Sequence, residues 1–288
     1  MINLKADNED SFDEYKAAVK RKDNSGAKSE LLSIETAMKD CYNNYAFHFE
    51  KNDLECMPEA RVGKWHKDVL LGMYGADFAI IKNFRKRYFS LNPQTYNNLC
   101  PYCTLNEANT TEHILPKEKF PEYSVDTLNL IPACSACNSK KSDAVLNSEG
   151  KKFTINFYTD KLPNIQYLFV DFKLVGDDIK AIYRLDNPYK IDSELFALIE
   201  RHFKRFNLLE RFDLKALQET SELINLYLSE EISDSAQFDM FAAKQIRKIN
   251  LDRIQLGFNH WKIILYFSAA TSNVFRKYIL ETCKSFIK

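Results

Sequence analysis

The sequence predicts an α+β fold that is mostly α, with a cysteine-bearing module and a β-hairpin set between N- and C-terminal helical regions. Glycine and proline number only 7 and 8 among 288 residues, well under the combined share of about 12% in ordinary proteins, which disfavours a turn-rich all-β chain. Apolar residues recur at three- and four-residue steps toward both ends, the spacing of one helix face. Between those ends lie two Cys-x-x-Cys pairs and one stretch where the apolar period drops to two, the signature of strands.

Composition bounds the rest. Apolar residues make up 45% and charged residues 28%, as in ordinary globular chains, and the length suits about two domains at roughly 150 residues each. Forty basic and forty acidic side chains cancel, so coating of nucleic acid by bulk charge is excluded, and any such contact must come from a local patch. Neither GxGxxG nor GxxxxGK followed by Ser or Thr occurs, so both usual nucleotide cradles are missing. The first ten residues hold three acids and no apolar block, unlike a secretory signal. The longest apolar stretch, Val69 to Ile81, is interrupted by Asp77 and falls short of the ~20 residues that span a bilayer. Seven cysteines, four of them in pairs, suit a reducing compartment and a metal better than a disulfide framework. A cytoplasmic protein without membrane association is expected.

The elements follow in chain order. In residues 1–95, the N-terminal helical region, Leu31, Ile34, Met38, Cys41, Tyr45 and Phe49 fall on one helix face. Trp65, Val69 and Met73, then Ile80, Phe84 and Tyr88, repeat the spacing. Charge is uneven here: residues 1–60 carry 13 acids against 8 basics, and residues 61–90 carry 7 basics against 2 acids. Lys82, Arg85, Lys86 and Arg87, beside Tyr88 and Phe89, form the densest patch. A solvated helix face is one reading of it; contact with nucleic-acid phosphate is the other. Residues 96–150 follow Asn92 and Pro93 with Asn97, Asn98 and the cysteine pairs. In residues 151–190, Val170, Phe172 and Leu174 alternate with Asp171 and Lys173. Gly176-Asp177-Asp178 supplies a turn, and Ile179 to Leu185 returns, giving a β-hairpin extension. Residues 191–288 form the C-terminal helical region. Asp192 or Ser193 caps a helix bearing Leu195, Ile199, Phe203 and Phe206, and further helices run through 208–229, 236–256 and 259–286. Lys244, Arg247, Lys248 and Arg253 offer a second contact surface, while Phe258, Trp261, Leu265 and Phe267 read as core or a partner interface.

Cys100-Pro-Tyr-Cys103 and Cys134-Ser-Ala-Cys137 are separated by thirty residues. Each Cys-x-x-Cys turn places two thiolates on one side of a knuckle, and two such turns complete a tetrahedral sulfur site for structural zinc, with no open position left. A disulfide switch is the alternative. The longer-than-usual separation means something is inserted: Thr111-Glu112-His113-Ile114-Leu115-Pro116-Lys117, then Asn129-Leu130-Ile131-Pro132. The second pair runs on into Asn138-Ser139-Lys140-Lys141. If Thr111 to Leu115 is a strand, Glu112 and His113 point to opposite faces unless the strand ends there, and Pro116 favours such an end. Lone histidines are usually structural, which is the expectation for His48, His66, His202 and His260. Cys41, Cys56 and Cys283 read as buried small apolar residues.

Taken in order, CPYC…EHILPK…NLIPACSACNSKKSD resembles the HNH endonucleases, whose ββα-metal finger holds one divalent ion beside a histidine. The resemblance covers about residues 98–145. It implies a metal-dependent endonuclease that hydrolyses phosphodiester bonds in DNA, with RNA left open. His113 becomes the general base, Glu112 and Asn138 the ligands of Mg²⁺ or Mn²⁺, and Asn129 the residue that tethers the loop and orients His113. Lys140 and Lys141 become contacts to backbone phosphate. Glu112 stands where most members have Asp, and residues 117–122 replace the usual Gly-rich loop. The EHxxPK form is most similar to HNH subunits of Septu- and retron-type phage-defence systems, which implies an antiviral effector with a regulatory ATPase partner. The competing expectation is a zinc-stabilised nucleic-acid-binding or ATPase-docking subunit without strong cleavage of its own.

Overall fold

Short polar side chains mark where the helices begin. The computed structural model describes residues 1–7, 10–59, 62–76, 78–92, 98–230 and 232–286. In it Asp10 accepts from Phe12 N to open α1 (Ser11–Arg21), and Asn24 accepts from Ala27 N to open α2 (Ser25–Ser33); each satisfies an amide that a helix start leaves bare. Next come α3 (Glu35–Lys51), α4 (Gly63–Ala76) and α5 (Phe78–Leu91). Pro93 and Asn97, expected to end the first helical region, lie outside the described residues.

One correction concerns the first apolar stripe, which is divided between two helices. Ile34, at φ −102° and ψ 4°, separates α2 from α3. Ser33 returns its hydroxyl to Glu30 O at 2.7 Å, a local bond that competes with continuation of the helix. The stripe still points inward: Leu31, Met38 and Tyr45 are buried. Trp65, however, is 78% exposed, because the core-facing residues of α4 are Leu70 and Met73.

The chain forms two compact units. The first comprises Asn3–Tyr102 and Asn106–Leu162. One core cluster there joins Tyr15, Val19, Leu31, Met38, Leu70, Met73, Ile80 and Val125. A second joins Tyr45, Leu54 and Met57 to Leu115, Phe120 and Tyr123, so the loop after the histidine is packed against α3 and the turn that follows it. Strands β1 (Thr110–His113) and β2 (Leu130–Ala133) pair antiparallel, with Glu112 opposite Ile131 and His113 opposite Leu130. Helix α6 (Ser135–Lys141) follows directly. This is the ββα order that the resemblance implies.

The second unit comprises Pro163–Lys288 with Met1–Ile2 and Cys103–Leu105. It begins with the expected hairpin, β3 (Leu168–Val175) and β4 (Asp178–Leu185). The turn is Gly176-Asp177, with φ +64° at Gly176; a positive φ at the first loop residue alone is the type II′ pattern that suits strand twist. Val170, Phe172, Ile179, Ala181 and Tyr183 are buried, on the strands that meet α8 and α10. Leu174, beside the turn, departs from its expected inward place, at 51% exposed, although its cross-strand partner Ile179 is buried. Asp192 caps α7 (Ser193–Phe206) by accepting from Glu194 N and Leu195 N. Then come α8 (Leu208–Leu228), α9 (Ser235–Leu256), α10 (Trp261–Thr271) and α11 (Asn273–Phe286). The single helix expected over 259–286 is therefore two. Ser272 adopts φ −83° and ψ 124°, and its hydroxyl oxygen accepts from Phe275 N at 3.2 Å, so serine acts as a cap in mid-sequence. Among the described residues no helix is long and apolar enough to cross a membrane.

Two stability measurements test this packing. Gly257 has φ +79°, and an added Cβ would lie 2.7 Å from Ile2 Cγ2 and 2.8 Å from Met1 O. Gly257→Ala should therefore lower stability by roughly 1–3 kcal/mol, read from urea unfolding; an unchanged midpoint would show that the close approach is absent. Asp126 is 1% exposed, and burial raises its carboxyl from the ordinary 3.8 to about 7, against opposing hydrogen bonds from Ser11 and Leu128 N. A folded-state value above the unfolded one means that the folded protein binds the extra proton between about pH 4 and 7. Asp126 thus subtracts stability progressively as pH rises through that window. Asp126→Asn, which keeps the acceptor for Leu128 N, should flatten that fall in the melting temperature; parallel wild-type and variant curves would contradict it.

Candidate active site

Hydrogen bonding across the β1–β2 hairpin decides which backbone groups face outward. Ile114 N donates to Asn129 O at 2.8 Å. With the observed register, Thr110 and Glu112 then occupy hydrogen-bonded positions, and Thr111 and His113 the alternate ones. Pro132, opposite Thr111, has no N–H to lose there. The carbonyls of Thr111 and His113 point off the strand edge, and side chains take them: Tyr74 Oη donates to Thr111 O at 3.0 Å, and Lys141 Nζ to His113 O at 2.6 Å.

The cysteine sulfurs converge as one set. Cys100, Cys103, Cys134 and Cys137 are all buried, and their Sγ atoms lie within 4.8 Å of one another. Cys137 N and Asn138 N donate to Cys134 O at 3.0 and 2.9 Å, which curls the second knuckle into α6. Four soft, buried sulfur donors suit structural zinc.

His113 is 5% exposed. Its Nε2 lies 2.9 Å from Ser124 O. A carbonyl can only accept, so Nε2 carries the proton and Nδ1 is left as the ring's proton acceptor. Burial lowers the imidazole to about 4, and the Lys141 and Lys117 cations push the same way, so the ring is uncharged at neutral pH. Alternation along β1 would send Glu112 to the opposite face, yet Glu112 and His113 line the same cleft. The strand ends at His113, and the longer glutamate arm reaches back toward Lys141 Nζ, 3.4 Å from Glu112 Oε1. Burial nevertheless raises the Glu112 carboxyl, against the pull of Lys141. The cleft is about 230 Å³, and Tyr74, Lys117, Asn138 and Asp143 also line it. Asn138 sits on the first turn of α6 and donates Nδ2 to Thr110 Oγ1 at 3.2 Å. Glu112 and Asn138 thus offer the hard oxygen donors that a magnesium or manganese ion takes.

Asn129 is fully buried, and its side chain uses every hydrogen-bonding position it has. Oδ1 accepts from Leu115 N (2.7 Å) and Tyr45 Oη (3.0 Å); Nδ2 donates to Leu115 O and Tyr123 O, both at 3.0 Å. It ties the chain after His113 to the chain before β2.

The basic residues divide. Lys82, Lys86 and Lys140 are exposed. Arg85 instead donates to Thr110 O and Ala108 O, and Arg87 pairs with Asp7 at 2.7 Å and Glu14 at 2.8 Å. Lys141 is 3% exposed and holds the strand end. The structure therefore does not gather the 82–87 cations into one outward patch, because two of them satisfy buried acceptors. In α9, Lys244, Arg247 and Lys248 are exposed, whereas Arg253 lies over Phe267 at 4.1 Å. His48 pairs with Asp53 and His66 with Glu30; His202 packs on Phe206, and His260 is buried. Cys283 is buried and Cys41 partly so, but Cys56 is exposed, against expectation; it ends a short turn whose inward residue is Leu54. Tyr74 and Ser124 were not legible as site residues, since Tyr74 lies 37 positions before Thr111 and one step off the Val69–Met73 stripe.

Residues 100–144 match the family model described as HNH endonuclease. This segment is an HNH domain. Two curated proteins are similar over longer stretches. Protein ea31 of Escherichia phage lambda is 26% identical over 186 residues, 61% of this chain and 62% of that protein. The Septu protein PtuB of Bacillus thuringiensis is 34% identical over 95 residues, 31% of this chain and 35% of that protein. The match thus spans less than two thirds of either relative. No solved structure matches the chain significantly.

The sulfur knot of the HNH domain can be tested directly. Purified protein should carry one zinc per chain by elemental analysis, and stripping it with a chelator should unfold the segment, since such sites supply on the order of 10 kcal/mol of folding free energy. Full thermal stability after complete zinc removal would contradict this reading.

Proposed function

We propose that the chain is a metal-dependent HNH endonuclease that hydrolyses phosphodiester bonds in DNA, acting in the cytoplasm as an effector of bacterial defence against phage. The observation that carries the reading is an imidazole held by Ser124 O through Nε2, in one cleft with Glu112 and Asn138. The similarity to a Septu protein supports the defence context, and a regulatory ATPase is the protein partner in this account.

Hydrolysis needs an activated water, neutralisation of the charge on phosphorus, and relief for the departing 3′ oxygen. His113 accepts the water proton at Nδ1, and Ser124 O stabilises the imidazolium that forms, through the Nε2 hydrogen. Glu112 and Asn138 Oδ1 would hold the divalent ion. When bound, such an ion supplies Lewis-acid stabilisation of the phosphate and the leaving group. Lys117, on the cleft wall, and the exposed Lys140 offer point charges to backbone phosphate. Asn129 and Lys141 touch no substrate in this scheme; they fix the loop and the strand end.

His113→Ala should lower plasmid cleavage in Mg²⁺ or Mn²⁺ by about 10²–10⁴-fold, the usual worth of a general base, while zinc content stays the same. Cleavage at the wild-type rate would remove His113 from that role. Running the same assay on RNA decides the substrate, with DNA expected to be cut.

A further inference from the structure

A histidine that serves as base must keep one rotamer and one tautomer, although an imidazole can turn about two side-chain bonds and carry its proton on either nitrogen. The β1–β2–α6 finger contributes only part of what holds His113. Tyr74 of α4 places its ring 4.6 Å from the imidazole, at 59° between planes. That phenol cannot drift, because Oη donates to Thr111 O at 3.0 Å, the carbonyl two residues before His113. Four residues earlier on the same helix, Leu70 O accepts from Ser124 Oγ at 2.9 Å. Ser124 is the residue whose carbonyl takes the His113 Nε2 hydrogen. One turn of α4 therefore reaches the imidazole twice, once through a ring against its face and once through the carbonyl that sets its tautomer.

We propose that Tyr74 and Ser124 are positioning residues for His113, and that the turn of α4 from Leu70 to Tyr74 acts as a clamp supplied from outside the matched HNH segment. This rests on the nuclease reading above for its catalytic meaning, though not for its geometry. Plain packing explains the arrangement less well. A packing residue needs bulk alone, whereas here a phenol is hydrogen-bonded to the strand carrying the base, and a serine joins the same helix to the base's own acceptor. Tyr74→Phe keeps the ring and loses the strand tie; Tyr74→Leu loses both. Ser124→Ala keeps the carbonyl and releases it from α4.

The test uses the full chain with ¹⁵N-labelled histidine and long-range ¹H–¹⁵N correlation spectra. Wild type should show His113 as one Nε2–H tautomer in one environment. Tyr74→Leu should give doubled or exchange-broadened His113 signals, and Tyr74→Phe and Ser124→Ala an intermediate loss each, all with unchanged zinc content. On substrate, Tyr74→Leu should lose about 10–100-fold in kcat with KM held, as a misplacement of the base by about an ångström would give, and Tyr74→Phe should recover only the part that the ring contact supplies. A single, wild-type His113 tautomer in Tyr74→Leu overturns the clamp. Should that variant fail to fold, an undisturbed His113 signal in Ser124→Ala overturns it equally. A wild-type protein that cuts nothing would sink the nuclease reading instead, and the spectra would still decide the clamp.

Discussion

Four sulfurs buried within 4.8 Å of one another are the constraint on which the rest of the site depends. Thiols gain little from such crowding, and thiolates repel, so the cluster is stable only around a cation that soft donors prefer. The chain leaves that knot at four places. Two of the exits lead to β1 and to α6, the elements that carry Glu112, His113 and Asn138. A knot that fixes where these elements start does much to fix where their side chains meet, in a segment too short to bury a core of its own.

What the knot leaves undetermined, buried polar groups determine. β1 and β2 are four residues each, and β1 has an open edge that would leave carbonyls bare. Tyr74 and Lys141 occupy those acceptors, Arg85 donates to Thr110 O at the start of the strand, and Asn129 closes the loop with all its donors and acceptors used. A buried group of this kind costs far more when unpaired than it contributes when paired, so the arrangement is rigid: few alternative positions satisfy every partner. The cleft inherits that rigidity. His113 is dry on one side and faces the cleft on the other, and its depressed basicity follows from the same burial that orients it.

Local chemistry was legible in the sequence, and long-range partnership was not. The cysteine pairs, the Gly176 turn and the Asp192 cap depend on neighbours in the chain, and each stands where spacing put it. Ile34 and Ser272 break helices that periodicity alone would continue, because a serine bonds locally in a way that hydrophobic spacing does not register. Arg85, Arg87 and Lys141 read as surface charge, yet they turn inward to acceptors as far as 80 positions away. Tyr74 gave no signal, since a tyrosine near an apolar stripe looks the same whether it packs against a core or against the imidazole of a cleft.

The most direct measurement is a crystal structure of the full chain grown with Mn²⁺, with anomalous scattering recorded at the zinc and manganese edges. The account predicts zinc within the sulfur knot and manganese in the cleft, bound by Glu112 and Asn138 with the His113 Nδ1 turned toward a metal-side water. Manganese bound elsewhere, or His113 Nδ1 itself ligating the ion, would contradict the assignment of base and ligands on which the proposed chemistry stands.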